Sequence, residues 1–391
     1  MNLSLESPES SEEFLTPWAQ GIFLSNDTDP YSLENTSLGT EIPPLQFRPY
    51  YGDQLEIYRK FYSSIHGYIS LTVCLFGITA NVMNIIVLTR KNMISPTNAI
   101  LTGLAVADMM VMFSYVPFSF HNYLRMSLEE KDKFSFTWAV FTLFHAHFTV
   151  VNHTISIWLT VTVAIWRFMA VCYPAPTMRW RGLVRARVAI ASTYTVCTVF
   201  CIPVYLTFTV ASYSDKIGNT LYRVDFSEIA RRHNGLLAKI NFWMFSVITK
   251  LVPCVALTGL SLGLIRVLYE ANDRRQRLKL RSECDKSHDR TTKMLLAVLL
   301  LFLLTEFPSG MLALLSGALG DEFFNNVYLN FGETMDILAL VNSAVNFIIY
   351  CSMSRQFRDT FAFLFLTRWS KGKWAAIPPA EPTQTLGTAC V

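Results

Sequence analysis

Long apolar runs divide the chain. Seven stretches, 65–88, 99–120, 138–170, 188–210, 242–268, 294–315 and 334–351, are predominantly apolar. Each has about 18 residues or more, the length at which a helix crosses a bilayer core. In lipid only a helix or a closed barrel satisfies every backbone polar group. The pattern therefore predicts an all-α membrane protein, a seven-transmembrane helix bundle. The third stretch is long and holds His145, His147 and His153; the seventh is short and polar, with Asn342, Ser343 and Asn346. After it, "SRQFRDTFAFLFL" sets Phe357, Phe361, Leu364 and Phe365 on one side and Arg355, Arg358 and Asp359 on the other. That spacing predicts a short amphipathic helix on the membrane surface. The organisation read from the pattern is an N-terminal segment 1–62, a bundle 63–353, a surface helix 354–368 and a tail 369–391.

Composition narrows the class. Of 391 residues, 52% are hydrophobic and only 16% charged, against about 25% charged in soluble domains. Disorder across the whole chain is excluded by the same figures. A net charge of +4 is too small to argue for nucleic acid. The first residues are acidic and polar, without a basic stretch leading into an apolar run, so no cleaved signal peptide is expected. Sequons at Asn2, Asn26 and Asn35 predict a disordered, glycosylated extracellular segment. A fourth, at Asn152, falls inside the third stretch and is expected to be unused. Basic residues cluster at Arg90 and Lys91, at Arg179 to Arg187, at Arg274 to Lys293 and in the tail, whereas 317–331 has none. The second outer loop, 211–240, does carry Arg and Lys. This bias places the N-terminus outside and the C-terminus inside. All eight cysteines fall within spans or on the inner side, so no extracellular disulfide is expected. The tail beyond Lys371 is expected to be disordered.

Ionisable groups at bilayer depth are expensive, and each needs a reason. Asp108, Lys250, Glu306, Arg167 and Asp336 lie within or at the ends of the apolar stretches. Asn81, Ser156, Asn342, Ser343 and Asn346 could converge on Asp108. They would form either a hard-cation or proton site, or interhelical hydrogen bonds that only hold the bundle. Lys250 and Glu306 have opposite charge at similar depth. They either pair, share a water network, or line a wet cavity separately. The histidines fit helix–helix contacts, since no Cys or Asp joins them at metal-ligand spacing. Pro117, Pro203, Pro253 and Pro308 interrupt four stretches and allow kinks.

Taken in order, Asn81, "LAVAD" with Asp108, Arg167, Pro253, Pro308 and "NSAVNFIIY" ending at Tyr350 resemble the rhodopsin-like G-protein-coupled receptors across nearly all of 65–366. The departures are Trp166 for the acid before Arg167, Glu306 for the aromatic before Pro308, and Phe347 for the proline of the seventh-span motif. The usual span-four tryptophan is missing, as is the disulfide from the third span to the second outer loop. "SPTNAILTGLAVADM", "AIWR" and "TEFP" are similar to the myosuppressin and sex-peptide receptor branch of invertebrate neuropeptide receptors. Nematode members of that branch respond to FMRFamide-like peptides.

The resemblance implies a receptor, not an enzyme. A peptide would bind in the outer half of the bundle, and a heterotrimeric G protein, of the inhibitory class, would be activated within the lipid bilayer, with arrestin as a further partner. Asp108, Asn81, Ser156, Asn342, Ser343 and Asn346 match the family's allosteric sodium site. Trp166, Arg167, Tyr350 and Pro308 match its activation and G-protein-coupling positions. Trp166 cannot hold Arg167 as the usual acid does, so either Asp285 or Asp289 substitutes or basal activity is raised.

FMRFamide-like peptides end in an arginine, an aromatic residue and an amide. A cation entering a low-dielectric pocket requires an acid. Glu306 is deep, with Lys250 placed to neutralise it, so Asp336 or Glu333 near the mouth is the expected partner. Tyr115, Phe118 and Phe120 could hold the aromatic end, with His153 and Lys250 completing the ligand set. The competing class is an ion-coupled transporter or channel using Asp108, Lys250 and Glu306. Neither symmetry between halves nor a charged file through the bundle is evident.

Overall fold

A computed structural model describes residues 52–125, 129–172, 182–214, 218–277, 284–319 and 323–367. Among them are seven helices long and apolar enough to cross a membrane, in the order the apolar runs predict. α1 is Gly52–Leu88, α2 is Pro96–Ser119 and α3 is Phe136–Cys172. α4 is Leu183–Phe200, resuming as Ile202–Thr207. α5 joins Glu228–Trp243, a π-helical stretch Met244–Leu251 and Val252–Arg277. α6 is Cys284–Leu319, α7 is Gly332–Met353 and α8 is Arg355–Phe361. Between α4 and α5 a hairpin pairs β1, Phe208–Ser214, with β2, Thr220–Phe226. The hairpin marks one end of the bundle and α8 the other; they are called here the hairpin end and the tail end. The three sequons, most of the tail and the side chains of Asp285 and Asp289 lie outside the described residues.

Helix starts follow local chemistry. Ser95 caps α2 through a 3.1 Å bond from the Asn98 amide, with Pro96 in the first turn. Ser227 caps α5 and Ser354 caps α8 in the same way. Proline explains the irregular turns, since it withdraws an amide donor from the ladder. Pro203 follows the break at Cys201, Pro253 follows the π-helical stretch of α5, and Pro117 precedes a π-helical turn at Phe120–Leu124.

Several boundaries differ from the sequence expectation: α5 begins at Glu228, inside the expected outer loop 211–240, and α6 begins at Cys284, ten residues early. α1 begins at Gly52, so residues 52–62, expected in the N-terminal segment, form its first turns. The fourth span ends at Thr207, and 208–210 belong to β1. The hairpin is tied down without a disulfide: the Tyr222 amide donates to the Phe134 carbonyl at 2.9 Å, and Phe136 meets the Tyr222 ring edge-on at 5.3 Å.

α1, α2 and α7 approach closely at Gly77, where an added Cβ would sit 2.9 Å from the Ala344 Cβ and overlap the Met112 sulfur. Phe347, in place of the family's proline, meets Phe357 at 5.9 Å and Phe361 at 5.5 Å and so docks α8 against α7. Phe357 and Leu364 are buried, as the amphipathic spacing predicts.

Candidate functional site

Three layers of polar side chains cross the bundle interior. The first lies at the hairpin end. Glu333 and Asp336, three residues apart on α7, are both buried. Ser63 of α1 donates to Glu333 Oε1 at 2.9 Å, and the Tyr115 hydroxyl lies close to Asp336. His66 Nε2 lies 2.9 Å from the same hydroxyl. Among the described residues neither acid has a basic side chain within ion-pairing distance. Glu333 Oε2, His66 Nδ1 and the Tyr123 hydroxyl are buried without any hydrogen-bond partner among them. Such orphaned groups carry a desolvation penalty that a ligand can remove.

Aromatic rings wall this layer. Tyr62 and His66 lie 5.6 Å apart, His66 and Tyr123 4.8 Å, and Tyr115 and Phe118 5.5 Å. Phe118 stacks on His145 at 4.4 Å, and His145 Nδ1 lies 3.2 Å from the Ser114 hydroxyl, a helix–helix contact as expected. Phe120 does not join the wall; it is 50% exposed.

The second layer lies deeper. Lys250 of α5 donates to Glu306 Oε2 of α6. His153 Nε2 of α3 lies 3.3 Å from the same oxygen and 3.1 Å from Lys250 Nζ. Of the three arrangements the sequence allowed for Lys250 and Glu306, direct pairing is the one found. The π-helical stretch of α5 carries Lys250. Asn342 Nδ2 approaches Glu306 Oε1 at 3.5 Å. Asn342, grouped with Asp108 by the sequence, is thus hydrogen-bonded to Glu306 instead.

The third layer centres on Asp108. Ser156 donates to Oδ1 at 2.5 Å and Asn346 to Oδ2 at 3.0 Å. Asn81 donates to the Ser343 and Gly77 carbonyls at 3.0 and 2.9 Å, joining α1 to α7. Ser343 Oγ and Asn81 Oδ1 are buried and without partners among the described residues. Unsatisfied neutral oxygens beside a carboxylate fit a hard cation, which takes oxygen ligands. Asp108, Ser156 and Ser343 would then supply the oxygens. Asn346 also lines a cavity of about 50 Å³ toward the tail end, with Arg167, Tyr350, Leu257 and Ser261. Trp166 is buried in the apolar core.

Sequence reasoning missed the α1 contribution to the first layer. Tyr58, Tyr62 and His66 recur every fourth residue, one face of a helix, which is a readable signal. Glu56, Arg59 and Lys60 lowered the hydropathy of the same turns and hid them.

The chain matches, over residues 68–368, the family described as serpentine type 7TM GPCR chemoreceptor Srw. It is 31% identical over 359 residues to the G-protein coupled receptor dmsr-1 of Caenorhabditis elegans, covering 78% of this chain and 69% of that one. It is 27% identical over 317 residues to the sex peptide receptor of Drosophila melanogaster, covering 78% and 73%. It is 24% identical over 314 residues to the FMRFamide receptor of the same fly, covering 76% and 53%.

Proposed function

Because the chain belongs to the serpentine seven-transmembrane G-protein-coupled receptors, multi-pass membrane proteins that signal rather than catalyse, we propose that it is a receptor for amidated FMRFamide-like or myosuppressin-like neuropeptides. The peptide enters at the hairpin end, which faces the outside, and the tail end engages a heterotrimeric G protein of the inhibitory class. The relatives named for sex peptide and FMRFamide support the ligand class.

One observation carries the reading. Glu333 and Asp336 are buried, lack ion-pair partners among the described residues and sit inside an aromatic wall. A peptide arginine would supply the missing cation, and a charged acid–guanidinium pair is worth more than a neutral hydrogen bond. Its aromatic neighbour would lie against Tyr115 and Phe118. Displacing these α2 rings and the α7 acids would bias the packing around Asp108, where sodium favours the resting arrangement. Arg167 and Tyr350 would then rearrange to open the tail-end cavity.

Signalling by Asp336→Asn and Glu333→Gln tests this. Each should lower peptide potency roughly ten- to a hundredfold, the worth of a charged hydrogen bond, with surface receptor retained. Unchanged potency in both variants would overturn the cation site.

A further inference from the structure

The second layer has a use beyond holding α5 against α6. We propose that the Lys250–Glu306–His153–Asn342 cluster reads the peptide's C-terminal carboxamide and rejects the free acid. This rests on the peptide reading above and deepens it.

A carboxylate oxygen offers two lone pairs and an ammonium three donors. Glu306 Oε2 is occupied by Lys250 and approached by His153, but Oε1 has only the 3.5 Å contact from Asn342. His153 Nε2 lies within reach of both charged groups, yet it either donates to Glu306 or accepts from Lys250. Whichever it does, Glu306 keeps a lone pair at Oε1 and Lys250 keeps at least one N–H. The site therefore offers an acceptor and a donor side by side. A carboxamide presents the complement, two N–H donors and one carbonyl oxygen.

Charge decides the discrimination. Lys250 and Glu306 neutralise one another in a fully buried place. A carboxamide is neutral and adds no charge. A free carboxylate brings a negative charge to a balanced site, has no donor for Glu306 and must be desolvated.

Spacing agrees. Asn342 is six residues along α7 from Asp336, about 9 Å at the helical rise. Arginine and one aromatic residue span about 7 Å to the amide nitrogen, at a little over 3 Å per extended residue, and the long arginine side chain covers the remainder. With arginine at Glu333 and Asp336 and the ring against Tyr115 and Phe118, the amide reaches the cluster.

The test compares peptides ending Arg-Phe-amide with their free-acid twins on cells expressing the full chain, read by G-protein dissociation and normalised to surface receptor. In the wild type the acid should be at least about a hundredfold weaker, because a site built for a donor penalises an analogue that lacks it. Glu306→Gln replaces the repelling anion with an amide and leaves Lys250 to attract the acid, so that ratio should fall to about tenfold or less. Asn342→Asp keeps the ion pair and adds an anion at the amide position, so the ratio should rise. Competition binding on membranes gives the same ratio where a variant signals poorly. A purely structural cluster would shift both peptides equally, and unchanged ratios in both variants would overturn the proposal. Equal potency of the twins on the wild type would overturn this proposal alone. Silence of the wild type toward every amidated peptide would overturn the peptide reading and this one with it.

Discussion

Asp108 and the pair Glu333 and Asp336 are buried acids in one bundle, but they are equipped differently. Asp108 accepts from Ser156 at 2.5 Å and Asn346 at 3.0 Å, so helices α2, α3 and α7 converge on it. Glu333 accepts from Ser63 at one oxygen, and its other oxygen, like the Tyr123 hydroxyl and a His66 nitrogen, has no hydrogen-bond partner among the described residues. A buried acid that its own fold satisfies fixes packing. One left short of donors is poised for a partner from outside. Glu306 is a third case: its partner is Lys250, a cation of the same chain.

This contrast can be broken, and the largest effect is expected at Glu306. Lys250→Met leaves its carboxylate buried without a cation, which should cost about 3–5 kcal/mol. The loss would be read as a lower thermal midpoint of detergent-solubilised receptor. Lys250→Met with Glu306→Leu should recover most of it, because a well-packed apolar pair often matches a buried ion pair. No recovery would mean that the pair does more than balance its own burial.

The next effect concerns the scaffold behind Asp108. Gly77→Ala would press a methyl group against Ala344 and Met112, at a point where Asn81 also bonds the Gly77 carbonyl. Met112 can swing aside, but Ala344 cannot, so a destabilisation of about 1–3 kcal/mol is expected. The same thermal midpoint checks it. The smallest effect is expected at the hairpin. Tyr222→Ala removes a ring contact worth about 0.5–1.5 kcal/mol but leaves the main-chain bond to Phe134 in place. Faster protease cleavage of β1–β2, with unchanged global stability, is the expected reading.

What the sequence reveals follows the physics of each signal. Apolar runs extend over many residues, so all seven spans are legible, the third and the polar seventh least sharply. The first turns of α1 are hidden because Glu56, Arg59 and Lys60 mask the four-residue recurrence of Tyr58, Tyr62 and His66. The hairpin is hidden because 211–240 has the composition of a loop, although "FTVASYS" and "TLYRVDF" are rich in β-branched and aromatic residues. Site residues are legible as a set more than as partners. Asn342 and Asn346 are one turn apart on α7 and share a face. Which acid each reaches depends on depth, and spacing alone does not give depth: Asn346 meets Asp108, while Asn342 meets Glu306. Phe120 has the right residue type and lies one turn beyond the ring wall, half exposed.

The central claim, that Asp336 and Glu333 await a cation from outside, is tested most directly by a double-mutant cycle across receptor and peptide. Peptide potency would be measured for the wild type and Asp336→Asn, each with an arginine-containing peptide and with its Arg→Gln counterpart. If the two groups meet, each single change costs roughly ten- to a hundredfold and the combination costs little more than either alone. If the losses multiply, the arginine and Asp336 act independently and the account of the first layer is contradicted.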